Sequence, residues 1–594
     1  MTSRSVAEEP VTSVLPDGDV PFDPSHAFSA DEEMLAALGY KSEFKREFSL
    51  FTTFCVSFAV LGLLPSFAST LFYGMGYAGT AGMTWGWIIA MLGIQCVAMS
   101  MAELCSSMPT SGGLYYAAAV LAPKGYGPFA AWITGWSNWC AQLIGTKALV
   151  QSVNRLSKWL QLRPSTRGDS HVSSPPFRPL LTNNNGISAM MLAAASINNP
   201  EYIPKDWHVF LLTVFIMILH AILSSMPTKW LAQFNSAGST FNFLALIVVI
   251  ILIPAGTDRT SRGLPRFTPS REVWGTIYEG TSFPPGVAVL MSFIGVIWTM
   301  SGYDSPFHLA EECSNANIAS PRAIVLTSAT GGIFGWFLQL VVAYTVVDIE
   351  AVLDSELGQP FAAYLMQCMT QRMTIAILAL TIIAGFSMGQ GCMIAASRVT
   401  FAYARDDCFP LSKYWKRVNK HTQTPANAVW FNCAIGIVLL LLIFGGDLAI
   451  GALFSIGAIS AFVAFTIPIF IRVFFVGSRF RPGPWNLGKF SIPIGVFASV
   501  FVALMVPILC LPSVTGADLT AADMNWTCLV YGGPMVLVTI WWFVSAHKWF
   551  TGPKVNIEHM MLGQNEVLDG KDQTHRDDSS GDAPGSAKLV QIKE

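Results

Sequence analysis

Pro284–Glu312 reads PPGVAVLMSFIGVIWTMSGYDSPFHLAEE. Its first half is an uninterrupted apolar run that predicts a helix entering a bilayer. The run breaks at Ser301-Gly302-Tyr303-Asp304-Ser305-Pro306, still at membrane depth. A break there frees backbone N–H and C=O groups that lipid cannot satisfy, so it has to line a protein-enclosed cavity. Broken helices near the midplane are where secondary transporters hold substrate and coupling ions. A proline kink without a ligand is the other reading of the same residues.

Composition agrees with a membrane setting. Hydrophobic residues make up 52% of the 594 and charged residues only 12%, with a mean hydropathy of +0.49. Soluble domains carry about 25% charged residues. A net charge of −2 gives no reason to expect a nucleic-acid partner. The 11 cysteines are scattered, mostly in apolar runs, and read as buried structural thiols. With no nucleotide loop, metal constellation or catalytic triad, no enzyme chemistry, metal or cofactor is expected.

A spanning helix needs about 20 apolar residues. Twelve stretches qualify: roughly 49–73, 81–107, 127–149, 207–226, 232–254, 285–309, 324–347, 373–397, 427–445, 448–474, 491–511 and 527–546. Residues 1–48, with no cleavable signal peptide, read as a disordered cytosolic tail, and 547–594 as a second one. Between them, 49–546 forms one all-α integral membrane domain.

The first stretch, FSLFTTFCVSFAVLGLLPSFASTLFYG, is also interrupted, by Gly62 and Pro65. Helices one and six are therefore both discontinuous, in corresponding positions of two five-helix halves. Paired interruptions of this kind point to a 5+5 inverted repeat, followed here by two further helices.

Lys and Arg in the loops set orientation. With the N-terminus inside, 18 fall on the inner side and 11 on the outer. Five of the outer ones crowd between Gln151 and Leu181, in a polar Pro/Ser/Asn-rich run without periodicity. Residues 147–186 read either as an insertion, such as retained non-coding sequence, or as a genuine external loop.

GLLPSFAST, MAELCSSMPTSGGLYYAAA, SGYDSPFHLAEE and ASRVTFAYARDDCFP together resemble the amino acid–polyamine–organocation permease superfamily. Over about residues 40–550 the chain is similar to its fungal amino-acid/choline transporter family, whose members include GABA, choline and other amine permeases. The resemblance implies a leucine-transporter-type fold, alternating access and, in many members, proton coupling. Residues 147–186 depart from the family pattern.

Candidate site residues follow from the two breaks. N–H groups at Gly62, Leu63, Leu64 and Ser66, with Pro65 contributing none, would face a substrate carboxylate. Carbonyls of the break at Ser301–Ser305, with Gly302 and Tyr303 inside it, would face an ammonium group. Trp298, one turn before the break, either closes over the ligand by cation–π contact or packs in the core; resemblance to the superfamily's gating aromatic favours the first. Asp304 is an intramembrane carboxylate, functional by default, or only a cap for the next half-helix. Asn138 and Trp139, with Ser387 and Gln390, lie at pocket depth, where helix–helix hydrogen bonding would explain the polar groups equally.

For gating or coupling, Glu103 either relays protons or anchors the loop carrying Ser111-Gly112-Gly113. Glu311 and Glu312 would pair with Arg398 or Arg405, as an inner gate or as a solvated charge cluster. The expected protein is a multi-pass plasma-membrane importer of a small amino acid or amine, GABA-like, driven by protons, with both termini cytosolic. Its partners are then the small-molecule substrate, the proton and the lipid bilayer. Choline or a polyamine is the alternative ligand, and a nutrient receptor that binds without transporting is the alternative function.

Overall fold

The computed structural model describes residues 46–148 and 186–553, apart from 279, 356, 358, 442–443, 445–446, 517–518 and 520–523, together with Asp31, Leu35, Leu38, Tyr40 and Phe44. The tails and the anomalous stretch therefore lie almost wholly outside the described residues. Within them the chain is helical, with a single isolated bridge between Phe48 and Cys313.

Helices fall on the predicted stretches. The first predicted stretch is occupied by α1 (Leu50–Leu61) and the start of α2 (Leu63–Ala81); a wide turn at Gly82–Gly86 leads to α3 (Trp87–Ser107). Then follow α4 (Leu114–Leu121), α5 (Gly127–Ala148), α6 (Ile187–Asn198), α7 (Asp206–Ser224) and α8 (Thr228–Gly256). The sixth predicted stretch is occupied by α9 (Pro285–Thr299) and the single turn α10 (Ser305–His308), followed by α11 (Ala316–Thr345) and α12 (Gln371–Arg405). The chain continues with α13 (Ala426–Leu440), α14 (Asp447–Ile471), α15 (Ser491–Ile508) and α16 (Thr527–Val544). Among the described residues, eight helical stretches are long and apolar enough to cross a membrane, and α6, α9 and α13 are shorter apolar helices.

Two departures have physical causes. The predicted helix at 373–397 runs on through SRVTFAYAR to Arg405, because Arg398 and Arg405 are neutralised by buried partners and need not leave the protein. Helix α6 was not anticipated: its 12 residues are too few for a spanning signal, yet Ile187 is buried against Gly385 of α12.

The core brings the breaks together. α1 starts on a reciprocal capping box between Ser49 and Thr52, and α9 starts on Pro285, whose missing N–H costs nothing there. α2 packs along α9, joined at Thr70 Oγ1···Thr299 Oγ1 (2.8 Å). α11 lies across both α1 and α3, where Gly331 and Gly335 admit Leu61 and Trp87, so the GxxxG spacing serves helix packing. Outward faces stay apolar: Leu537, Ile540, Phe543 and Val544 of α16 are all exposed, as lipid contact requires.

Candidate functional site

The first break turns on Gly62, whose left-handed backbone (φ 47°) is open to glycine at little cost. Its N–H donates to Phe58 O (3.0 Å), and Ser66 closes the other side through N–H to Gly62 O (2.9 Å) and Oγ to Leu61 O (2.9 Å). Met388 of α12 stands over Gly62, where an added Cβ would collide with its side chain. Of the expected anion-facing groups, Gly62 and Ser66 are thus engaged within the chain. Leu63 and Leu64 remain at the start of α2 with their side chains in the core, and Pro65 packs near Gly385.

The second break begins where α9 ends. Ser301 folds back through N–H to Trp298 O (3.0 Å) and Oγ to Ile297 O (2.6 Å). Gly302 (φ 110°) then crosses directly over Val60 and Leu61 of the first break. Its carbonyl accepts from Ser305 Oγ (2.5 Å), Ser305 N–H (3.2 Å) and Ser57 Oγ (3.3 Å). Asp304 precedes α10, but its side chain makes no capping bond.

Between the breaks lies a cavity of about 60 Å³, walled by Val60, Gln142, Trp298, Ser301, Gly302, Asp304, Met388, Cys392 and Phe465 among others. Asp304 is the one charged side chain among these described lining residues. Trp298, Ser301, Gly302 and Asp304 are therefore brought together in one cavity wall. Tyr303 is not among the lining residues; its ring lies against Phe465 (5.7 Å) and its buried hydroxyl has no hydrogen-bond partner among the described residues. Asn138 sits behind the wall, with Nδ2 3.0 Å from Tyr403 Oη and 3.3 Å from His308 Nε2.

Three contributors escaped the sequence reading: Gln142, His308 and Tyr403. Gln142 Nε2 donates to Asp304 Oδ2 (2.6 Å), and His308 Nε2 lies 3.3 Å from the same oxygen. Two of the three carried a signal. Gln142 is four residues after Asn138 and His308 four after Asp304, the spacing that puts side chains on one helix face.

One turn further on, the charges pair. Arg398 donates to Glu312 (Nε–Oε1 2.7 Å, Nη2–Oε2 3.3 Å), with both side chains buried. Arg405 grips Glu311 with two bonds (2.9 and 3.0 Å), and Glu311 Oε1 also accepts the Ser111 N–H (2.9 Å). The loop of Ser111-Gly112-Gly113 is thus held by Glu311. Glu103 instead accepts from Ser491 Oγ (2.5 Å) and Leu487 N–H (3.3 Å), away from the cavity. The segment before α1 seals this layer: Tyr40 lies under the Arg405 guanidinium (3.9 Å), and Phe48 exchanges backbone bonds with Glu312 and Ser314. Gln390 meets Ser224 Oγ (2.8 Å), Ser387 packs on Gly238, and Trp139 donates to Thr400 (3.1 Å), all consistent with helix packing.

Comparison with known proteins decides the family. The amino acid permease model matches residues 48–162 and 177–534. The chain belongs to the amino acid permease family. An uncharacterized amino-acid permease of Schizosaccharomyces pombe is 54% identical over 558 residues, covering 93% of this chain and 95% of the relative. A Candida albicans protein named "Putative polyamine transporter" is 45% identical, covering 94% and 96%. An amino-acid permease of Arabidopsis thaliana is 31% identical, covering 91% and 99%. The permease is a multi-pass membrane transporter of amino acids or amines, and not an enzyme.

Proposed function

We propose that this permease is a proton-driven importer of a small amine, with an aliphatic polyamine or diamine ahead of GABA as substrate. The observation that carries the reading is the cavity wall: a lone carboxylate, Asp304, beside the aromatic Trp298, among the described residues. A carboxylate and a ring face recognise an ammonium group. The name of the Candida albicans relative points the same way. GABA is the second reading, supported by the start of α2 beside Gly62, where a carboxylate would be received once Met388 moves aside. The test is uptake of labelled putrescine and labelled GABA in permease-deficient yeast, with and without a protonophore. Protonophore-sensitive putrescine uptake that excess GABA does not compete supports the leading reading, and uptake of GABA alone overturns it. Trp298→Ala is expected to weaken substrate affinity about tenfold in a competition assay. Wild-type affinity would return the indole to packing.

In this reading twelve helices cross the plasma membrane, the first ten as two inverted five-helix repeats, with helices one and six broken at Gly62 and Gly302. Both termini face the cytosol. The paired layer of Arg398–Glu312 and Arg405–Glu311 then closes the inner end of the path below Asp304.

Residues 147–186 are proposed to interrupt one crossing. Trp139 of α5 meets Thr400 of α12, Ile187 at the start of α6 meets Gly385, and Ile197 O accepts from Gln371 Nε2 (2.7 Å). α5 and α6 thus follow each other down α12; their 22 and 12 residues together match its 35. The family match is also split, between 162 and 177. Deleting 151–181 leaves residues 149–150 and 182–186 to bridge Ala148 to Ile187. That variant is expected to run as a monodisperse detergent-solubilised peak, melting no lower than the full chain. Loss of the peak would show that the stretch is needed for the fold.

A further inference from the structure

We propose that the proton driving uptake is held between His308 Nε2 and Asp304 Oδ2, with Asn138 and Tyr403 registering its presence. The inference rests on the proton-driven reading above and assigns its carrier. The argument is a count of donors. Asp304 and His308 lie one helical turn apart, both buried, with Nε2 and Oδ2 separated by 3.3 Å. Oδ2 already accepts from Gln142 Nε2 at 2.6 Å. On its other side Nε2 faces Asn138 Nδ2 at 3.3 Å, and the same amide nitrogen donates to Tyr403 Oη at 3.0 Å.

A neutral imidazole has one donor and one acceptor nitrogen. While the Asn138 amide donates to Nε2, that nitrogen is an acceptor and confronts an ionised Asp304 lone pair to lone pair. One added proton removes the conflict. On Nε2 it makes the ring a donor to Oδ2, and the Asn138 amide then turns to offer its oxygen. Two buried atoms mark the cluster's hydrogen bonding as incomplete: the acceptor Asn138 Oδ1 and, in this tautomer, the His308 Nδ1–H donor have no hydrogen-bond partner among the described residues. Leaving the Oδ1 acceptor orphaned is costly, and the amide turn that accompanies protonation would use it. Gln142 and His308 both meet the carboxylate at Oδ2, which assigns Oδ1 to the substrate ammonium. The proton and the substrate thus share one carboxylate from opposite sides, His308 in the protein and the amine in the cavity.

The surroundings offer no better carrier. From α12, Cys392 and Tyr403 face the pair, Tyr115 of α4 lies edge-on to Tyr403 (4.4 Å), and Tyr303 flanks Asp304. Glu311 and Glu312 are each engaged by an arginine. α1 contains no acid or base of the Asp, Glu, Lys, Arg or His type, and the Arg322 side chain of α11 is exposed. Gly113 leaves room for the imidazole: a Cβ there would lie 3.1 Å from Nδ1, so a larger residue would crowd the ring.

The experiment uses the full chain purified into proteoliposomes, with labelled putrescine as probe. It compares accumulation driven by an inward proton gradient with exchange at equal pH on both sides, which needs no net proton movement. Wild type is expected to accumulate the probe only with the gradient. His308→Gln is expected to keep a reduced but measurable exchange while gradient-driven accumulation falls about tenfold or more, with a flat pH profile. If the His308→Gln protein is not recovered, His308→Asn takes its place. A substituted protein that still accumulates with the gradient overturns the assignment. A wild type indifferent to the gradient overturns the proton-driven reading, and this proposal with it.

Discussion

Gly302→Ala is expected to remove most of the folded permease, and the cause lies in two independent facts. The backbone at Gly302 has φ 110°, a region that residues with a Cβ rarely adopt. An added Cβ would also sit 2.7 Å from Val60 Cγ1, 2.9 Å from Leu61 N and 3.0 Å from Val60 C. Two of those atoms are backbone at the other break and have no rotamer to retreat into. Strain at such a residue costs about 1–3 kcal/mol and overpacking a similar amount, so a loss of about 3 kcal/mol or more is expected. Because the carbonyl of Gly302 collects bonds from Ser57 and Ser305, the damage extends to the junction of α1 with α10. The check is the melting temperature and monodisperse yield in detergent, against Gly286→Ala as control. Gly286 lies in the first turn of α9 with open space around its Cβ direction, so its substitution should be near neutral. A Gly302→Ala protein melting with wild type would sink the account of the crossed breaks.

The second large effect is expected at Arg398. Its guanidinium is fully buried, bound to Glu312 through Nε and Nη2 and to Ser397 Oγ through Nη1 (3.1 Å). Truncation to Ala leaves a buried carboxylate without its cation, which costs about 3–5 kcal/mol. The Arg405–Glu311 pair, partly open to solvent on the arginine side, is expected to matter less. A double replacement, Arg398→Met with Glu312→Leu, removes both charges and is expected to recover much of the lost stability, because an apolar pair of similar volume replaces an ion pair at little cost. Thermal melts of the single and double variants decide this. Equal destabilisation in both would mean that the side chains matter through shape and not charge. Uptake by the stable double variant then separates an effect on stability from an effect on transport.

Much of this protein was legible in the chain alone. Apolar runs of spanning length, the low charge and the paired interruptions at Gly62 and at Ser301–Pro306 determined an all-helical membrane protein and pointed to where the cavity between the two breaks lies. That legibility has a simple cause: lipid offers no hydrogen bonds, so backbone breaks must be marked in sequence by glycine, proline and polar residues. Trp298, Ser301, Gly302 and Asp304 could be named because they flank such a mark. What the chain could not show is which groups meet across helices. Glu103 and Glu311 are both buried acids near the ends of helical stretches, and only packing assigns one to Ser491 and the other to Arg405 and Ser111. His308 and Gln142 are common residues until the fold brings them to one carboxylate oxygen from helices more than 160 positions apart. Side-chain type and spacing fix what a residue is able to do. Its partner is set by long-range packing, because the contacts that satisfy a buried charge come from elements that local pattern does not place.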